Sequence, residues 1–465
     1  MADRRRSPRR SKGTIMKTYL LQREIATDDP YDVVVAGGGP AGTAAAICAG
    51  RQGAKVLLVE ATGCLGGMAT SGLVSQWSAL SAGTHSVIGG LMLEIVKTMH
   101  QRGHLPPHVT PEAWTTRFCG STGFEPEGLK ILLDDLCVEA GVEVRFFTRV
   151  IDAEADREAR RVDGFILHNV EGCRFVPARA FVDATGDAIV ADLCGADCRE
   201  AGRDTPHIMP PTLCCLQTGI DFDRLGDHEK AVFKAIKDGF FSQPDRHVPG
   251  LFRTGRTTAI MNSGHLFGMN ALNCRSLSDG MIKGRKLARE YTAFCRKYLS
   301  GCENMLPATT ASLMGVRESR RIVGEYELCY DDFKARRHFP DNIAVYCKKV
   351  DIHVYDCSDE QYERYLKEFR ETDTLGFGET YGLPYRILVP KGWRNLWVAG
   401  RCNSSDLKVH GAIRDQPACF MMGQAAGVAA VQSIRTQTPA FALDTQELVS
   451  TLRRCGAYLP EPAEK

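Results

Sequence analysis

An α/β fold is predicted for this chain: a parallel sheet that runs into a β-meander, interrupted by an inserted α+β domain. Three observations predict it. An apolar strand, Val33-Val34-Val35-Ala36, breaks into Gly37-Gly38-Gly39-Pro40-Ala41-Gly42 and then a small-residue helix. Strands alternating with turns from Val150 to Val176 lead into a further apolar strand at Phe181-Val182. Near the end, Asn395-Leu396-Trp397-Val398 closes on Ala399-Gly400-Arg401, ahead of a long helix rich in Gly and Ala. At 465 residues the chain has room for two or three domains.

Each element has a local reason. Gly37 allows the tight turn out of the first strand, Gly39 lets backbone approach a pyrophosphate, and Gly42 lets the helix pack close to the sheet. The strand Lys55 to Val59 follows and ends on Glu60, 23 residues past Gly37 and placed to accept hydrogen bonds from a ribose. Strand, glycines, helix, strand and acid in this order predict a Rossmann-like dinucleotide site at a helix N-terminus. Gly89-Gly90 opens an amphipathic helix with Leu91, Ile95 and Met99 spaced four apart. Gly103 to Gly123 reads as irregular, Gly128 to Ala140 as a helix, and Val142 to Phe147 as the strand of a return crossover. The middle, from about Pro206 to Thr380, carries no nucleotide motif. Asp279 to Tyr298 reads there as a charged helix, with strand character at Ala308 to Tyr326 and Ile343 to Val354. A loop, Cys402 to Gln416, precedes a helix expected to start at Pro417, since proline suits a first turn.

Composition narrows the classes. The chain is 44% hydrophobic and 25% charged, as in ordinary soluble globular proteins. No apolar run approaches the roughly 18–20 residues that span a membrane. A net charge of +2 points to neither nucleic acid nor an anionic membrane. The first 13 residues carry a net +5 with almost no apolar residue, so residues 1–15 are expected to be a disordered basic arm, with Met16 as a second candidate start. Its arginines lack the apolar run of an export signal. Eighteen cysteines are scattered without a CxxC pair. Cys194 with Cys198, and Cys214 with Cys215, lack the His or Cys partners of a metal site and read as small buried hydrophobes, so no metal is expected. A reducing cytoplasm fits this usage.

Beyond Glu60 a second glycine pair, Gly66-Gly67, leads into Met68-Ala69-Thr70-Ser71, and further on stands Ala184-Thr185-Gly186-Asp187. With these motifs in order the chain resembles the FAD-dependent oxidoreductase family of the glutathione-reductase-like superfamily, related to the fumarate reductase flavoproteins. The resemblance runs from about Asp32 to Val431 and implies FAD as cofactor. It implies an FAD-binding domain assembled from residues 28–75, 122–205 and 380–437, with a substrate or cap domain at 76–121 and 206–379. The implied FAD contacts begin with Gly37, Gly39, Pro40, Ala41, Gly42 and Glu60. They continue through Gly66, Gly67, Met68, Thr70, Ser71 and Val150, then Ala184, Thr185, Gly186 and Asp187. Gly400, Arg401, Arg414 and Gln416 complete the set. In such flavoproteins the late helix aims its N-terminus at the flavin, where its dipole favours the reduced anion by roughly 0.3–2 kcal/mol.

Flavin carries the hydride chemistry and the protein positions substrate. In Gly315-Val316-Arg317-Glu318-Ser319-Arg320-Arg321, an extended backbone puts Arg317, Ser319 and Arg321 on one face and Glu318 and Arg320 on the other. On residues alone this is equally an anion-binding site or a strand salt-bridged through Glu318 and Glu325. The family motif implies the first, with Arg317 and Arg320 orienting substrate. His410 is the expected general base, the alternative being a loop histidine satisfied by backbone carbonyls. Arg414 is assigned to the flavin edge or an anionic substrate. His85 and His265 are weaker candidates.

The expected activity is a dehydrogenase or oxidase moving hydride from a small polar organic substrate to flavin N5. Oxygen, a quinone or a carrier protein would accept the electrons. A flavin monooxygenase and a non-catalytic flavin-binding protein remain alternatives; the Trp-x-Trp-x-Ile-Pro signature of halogenases is missing.

Overall fold

The computed structural model describes residues 19–248 and 250–460, so the expected basic arm, residues 1–15, lies outside the described residues. Five strands run parallel in the order Glu143–Arg145, Val56–Val59, Tyr31–Ala36, Gly172–Asp183, Leu396–Val398. Numbered along the chain this is the 3-2-1-4-5 arrangement of dinucleotide-binding halves. Val33 pairs with Val56, and Ala36 stands level with both Val59 and Asp183. The side chains alternate as a pleat requires. Val33, Val35, Val56 and Leu58 pack into the core with the helices, while Val34, Ala36, Leu57 and Val59 pack with the meander on the other face. Each such Val or Leu contributes about 1.5–3 kcal/mol by its burial.

The Gly172–Asp183 strand belongs to two layers. Its first half pairs antiparallel with Arg161–Asn169, which pairs with Arg149–Asp156 to make the meander, and its second half joins the parallel sheet. The helix Pro40–Arg51 lies against the long helix Gln416–Thr436. That pair is close because Gly423 and Gly427, one turn apart, meet Ala41 and Ala45; a Cβ at either glycine would overlap a carbonyl oxygen of the first helix.

A second core surrounds the helix Cys274–Tyr298, whose Leu287, Tyr291 and Phe294 pack with Leu213, Cys215, Met261 and Met305. Beside it stands an antiparallel sheet in the order Gly250–Arg253, Ala259–Asn262, Cys215–Thr218, Leu306–Thr310. Residues from Leu328 to Val389 pack into the first core, alongside the helices of the parallel sheet.

Several local expectations are corrected. The loop from Cys402 to Gln416 contains a short helix, Leu407–Ile413, because Asp406 caps its N-terminus by accepting from the Val409 N–H at 2.8 Å. Pro417 is the second residue of its helix, after Gln416; its missing N–H costs nothing there. Only Arg320–Ile322 forms a strand in the arginine segment, and Glu318 pairs with Arg321 at 2.9 Å across the irregular turn before it. The strand beginning at Asn342 ends at Tyr346, so Lys348 to Val354 is irregular. Gly103 to Gly123 holds a one-turn helix, Glu112–Thr115, and a strand, Ser121–Gly123.

Candidate active site

A cavity of about 830 Å³ opens at the carboxyl ends of the parallel strands, lined by Ala36, Val59, Ala184 and Ala399 at the strand ends. This is the edge where open α/β sheets bind ligands. It extends between the two cores to Arg317, Lys348, Asp351 and His353.

The sheet side is shaped by backbone approach. Gly37 has φ +94°, and a Cβ there would stand 2.7 Å from the Ala184 carbonyl oxygen. At Gly39 a Cβ would meet nothing within 4 Å, so this backbone faces open space in the cavity wall. Gly42 lies behind, where a Cβ would overlap the Gly37 carbonyl. Gly67 packs directly on Gly39 Cα, next to the hydrogen bond from the Gly66 N–H to the Gly38 carbonyl at 2.8 Å. Glu60 is buried; the Gly38 N–H donates to its Oε2 and the Thr62 N–H to its Oε1, each at 2.7 Å. Each carboxylate oxygen keeps a second lone pair for a ligand hydroxyl. Arg401 donates to Asp187 Oδ1 at 2.8 Å and to Ser319 Oγ at 3.0 Å, tying two predicted cofactor segments together. The long helix opens on the cavity through Asp415, Gln416 and Cys419, and Gln416 Oε1 is buried without a partner. A glycine cradle, an acid with spare acceptor capacity and a helix N-terminus fit a long, anionic dinucleotide such as FAD.

Most of the predicted contacts meet here. Gly37, Gly39, Pro40, Ala41, Glu60, Gly67, Met68, Val150, Ala184, Thr185, Gly186 and Asp187 all line the cavity, as do Gly400, Arg401, Arg414 and Gln416. The structure does not bring the others to it. Gly42 and Gly66 serve packing and turning behind the wall. The Thr70 hydroxyl donates to the Leu65 carbonyl at 2.5 Å, and Ser71 Oγ lies 3.1 Å from Cys64 Sγ.

Of the predicted catalytic residues, only Arg317 reaches the cavity. Its guanidinium, 6% exposed, donates to the Pro210 carbonyl at 2.6 Å, Thr212 Oγ1 at 3.1 Å and Asn262 Oδ1 at 3.3 Å, all neutral acceptors. Burial and the nearby Arg414 push it down to about 10, which leaves it charged at neutral pH. Arg320 turns away toward Asp192 and Glu200, at 3.4 and 3.8 Å. His410 is fully buried; its Nε2–H donates to the Arg317 carbonyl at 3.0 Å, and it does not line the cavity. Burial, with Arg321 and Arg414 nearby, pushes it well below the usual imidazole range. His85 stays with Thr84, 2.7 Å away. Burial likewise pushes the Cys214 and Cys215 thiols up to about 12, far from thiolate chemistry.

Sequence reading missed the groups opposite Arg317. Lys348 pairs with Asp415 at 3.1 Å, and Asp351 lies 3.5 Å from Arg414 and 3.4 Å from His353 Nε2. Burial works to raise the Asp351 carboxyl, but the neighbouring cations Arg414 and Lys348 help hold it well below the usual range. The available signal was alternation: Val350, Ile352 and Val354 are buried, leaving Asp351 and His353 on the other side.

Among solved structures the chain is similar to a geranylgeranyl bacteriochlorophyll reductase-like protein from Thermoplasma acidophilum. The identity is 13% over 93% of this chain and 84% of that one, with a TM-score of 0.49. It is also similar to the myxobacterial chondrochloren halogenase CndH (14%, 92% and 79%, 0.44) and to p-nitrophenol 4-monooxygenase PnpA from Pseudomonas putida (11%, 92% and 82%, 0.45). No curated protein matches it. The sequence model of the family described as FAD dependent oxidoreductase matches residues 32–452, nearly the whole described chain, and the protein belongs to that family of FAD-dependent enzymes.

Proposed function

We propose that this enzyme is a dehydrogenase or oxidase that removes hydride from a small polar substrate carrying an anionic group, such as a carboxylate. The observation that carries this reading is Arg317: a buried guanidinium on the cavity wall, held by three neutral acceptors and no carboxylate. A buried charge without an ionic partner is costly unless a ligand supplies one. Lys348 and Arg414 stand nearby against Asp351 and Asp415, so with Arg317 this end of the lining carries an excess of one positive charge. FAD, when bound, supplies the hydride acceptor. The chain's own groups anchor the substrate through Arg317 and exclude water. None of the eighteen cysteines is joined in a disulfide, which supports a reducing compartment such as the cytoplasm.

The test is anaerobic mixing of the FAD-loaded protein with hydroxy and amino acids and their uncharged amides or esters. Bleaching of the flavin absorbance by the acids, and weaker bleaching by the neutral analogues, is expected. Oxygen consumption only with an added reductant would establish a monooxygenase instead. Oxygen, quinones and carrier proteins are then compared as electron acceptors.

A further inference from the structure

We propose that a buried chain, Asp245–His265–His353–Asp351, accepts the proton that the substrate loses during oxidation, with His353 Nε2 and Asp351 as the receiving atoms. The inference rests on the dehydrogenase reading above.

The fold brings the four residues together from distant positions. Strands Gly250–Arg253 and Ala259–Asn262 form a hairpin in which Gly250 pairs with Asn262, so residues just before and just after it meet. Asp245 and His265 meet in this way, and the irregular segment after Tyr346 delivers Asp351 and His353 beside them. Asp245 Oδ2 lies 2.7 Å from His265 Nδ1, His265 Nε2 lies 2.8 Å from His353 Nδ1, and His353 Nε2 lies 3.4 Å from Asp351 Oδ2. Only the Asp351–His353 end lines the cavity; Asp245 and His265 lie behind the wall.

Proton counting gives the chain a direction. Three gaps need three protons, and two neutral imidazoles bring two. The gaps of 2.7 and 2.8 Å are hydrogen-bond distances and the 3.4 Å gap at Asp351 is the long one, so the two protons sit in the first two gaps, with Asp245 accepting there at Oδ2 and from the His247 N–H at Oδ1. The first gap therefore holds His265 Nδ1–H, which makes His265 Nε2 an acceptor and fills the second gap with His353 Nδ1–H. At the cavity end, the His353 Nε2 lone pair then faces the Asp351 carboxylate, and the proton is missing there. A substrate O–H or N–H fills that gap. As hydride leaves its carbon for FAD, the proton stays between His353 Nε2 and Asp351, and the product holds a C=O or C=N bond. Arg317 and Arg414 face this end, while His247 and Tyr365 stack beside it. After burial, Arg317 is the group that most opposes a proton on His353. A substrate anion on Arg317 removes that opposition, so binding prepares the acceptor.

Asp245→Asn tests this without touching the cavity. An amide N–H toward His265 Nδ1 reverses both imidazoles and closes the cavity-end gap with His353 Nε2–H. Nitrogen-15 histidine spectra are expected to show Nδ1–H on His265 and His353 in the wild type and Nε2–H on both in the variant. Substrate-driven flavin reduction is expected to slow by roughly 10²-fold or more with KM held, and dithionite reduction and FAD content to stay as in the wild type. His353→Gln, measured alongside, is expected to slow the same step. Wild-type spectra with His353 already protonated at Nε2 would overturn the proposal. So would a stoichiometric metal found by elemental analysis, since His247, His265 and His353 offer nitrogens within 4.8 Å of one another. An unslowed Asp245→Asn overturns the proton chain and leaves the dehydrogenase reading standing. If no substrate bleaches the flavin, that reading fails and the spectra alone decide the chain.

Discussion

Replacing Gly39 by Ala adds one methyl group at φ −70° and ψ −174°, a backbone conformation that any residue adopts. Nothing lies within 4 Å of the new Cβ, so the fold carries no clash. The unfolded chain loses freedom, and stability without cofactor is expected to hold or rise by about 0.4–1 kcal/mol. The methyl projects from the cavity wall where the glycine motif is expected to receive the pyrophosphate. Pushing a ligand back by one methyl costs roughly 1–3 kcal/mol on the scale of overpacked sites, or about 5- to 150-fold in FAD affinity. Gly42→Ala is the opposite case. Its Cβ would overlap the Gly37 carbonyl, so the first helix must shift and melting falls before binding is at issue. The assay pairs thermal melting of both cofactor-free proteins with FAD titration followed by flavin fluorescence. Wild-type FAD affinity in Gly39→Ala would refute the assignment of this backbone to the cofactor.

Arg317→Met is expected to raise KM for anionic substrates by roughly 10- to 150-fold, the value of a charged hydrogen bond, and to leave neutral analogues unchanged; an equal loss for both would remove Arg317 from substrate anchoring. Gly423→Val puts two methyl groups and a Cβ into the Ala41 backbone, and a melting temperature lowered by several degrees is expected, at about 1–3 kcal/mol or more. Asp28 is ion-paired with Arg145 and Arg174, each at 2.5 Å; burial raises its carboxyl, but the two arginines prevail and hold it below the usual range. Its contribution is present above the unfolded value near 3.9 and is lost as pH falls through the lower folded value. The stability gap between wild type and Asp28→Asn, followed by urea unfolding, is therefore expected at pH 7 and to shrink below about pH 4.

The parallel sheet was legible because four of its strand segments, 31–36, 56–59, 180–183 and 396–398, are largely apolar and end at or near a glycine or an acid; the edge strand Glu143–Arg145 has neither mark. The meander was legible from its closely spaced turns. The short helix at Leu407–Ile413 was missed although its signal stands in the chain: Ser404-Ser405-Asp406 before Leu407 is a capping sequence. Seven residues give too little periodicity to outweigh the loop pattern around them. Strand character was expected through Val354, and beyond Tyr346 the buried Val350, Ile352 and Val354 alternate without the ladder. Alternation reports which side of a segment faces the core, and an irregular segment resting on a core shows it as readily as a strand.

The two halves of the cavity differ in what encodes them, and this decided what could be read. The cofactor side is made by main chain coming close to main chain. Such approaches require the absence of a Cβ, so they leave glycines at short, fixed spacings. The proposed substrate side is made by side chains from segments near Pro210, Asp245, His265, Arg317 and Asp351, which meet only through the hairpin and the packing between the two cores. No spacing rule joins Asp245 to His353. His410 shows the consequence. It stands four residues before Arg414, and chain proximity alone sent it to the flavin. Asp406 starts a helix that runs through His410, and the helix turns the imidazole inward onto the carbonyl of Arg317. The base predicted at His410 thus supports the backbone of Arg317, the proposed anchor. The groups positioned to take a proton come from the opposite wall, where the sequence had signalled only a strand.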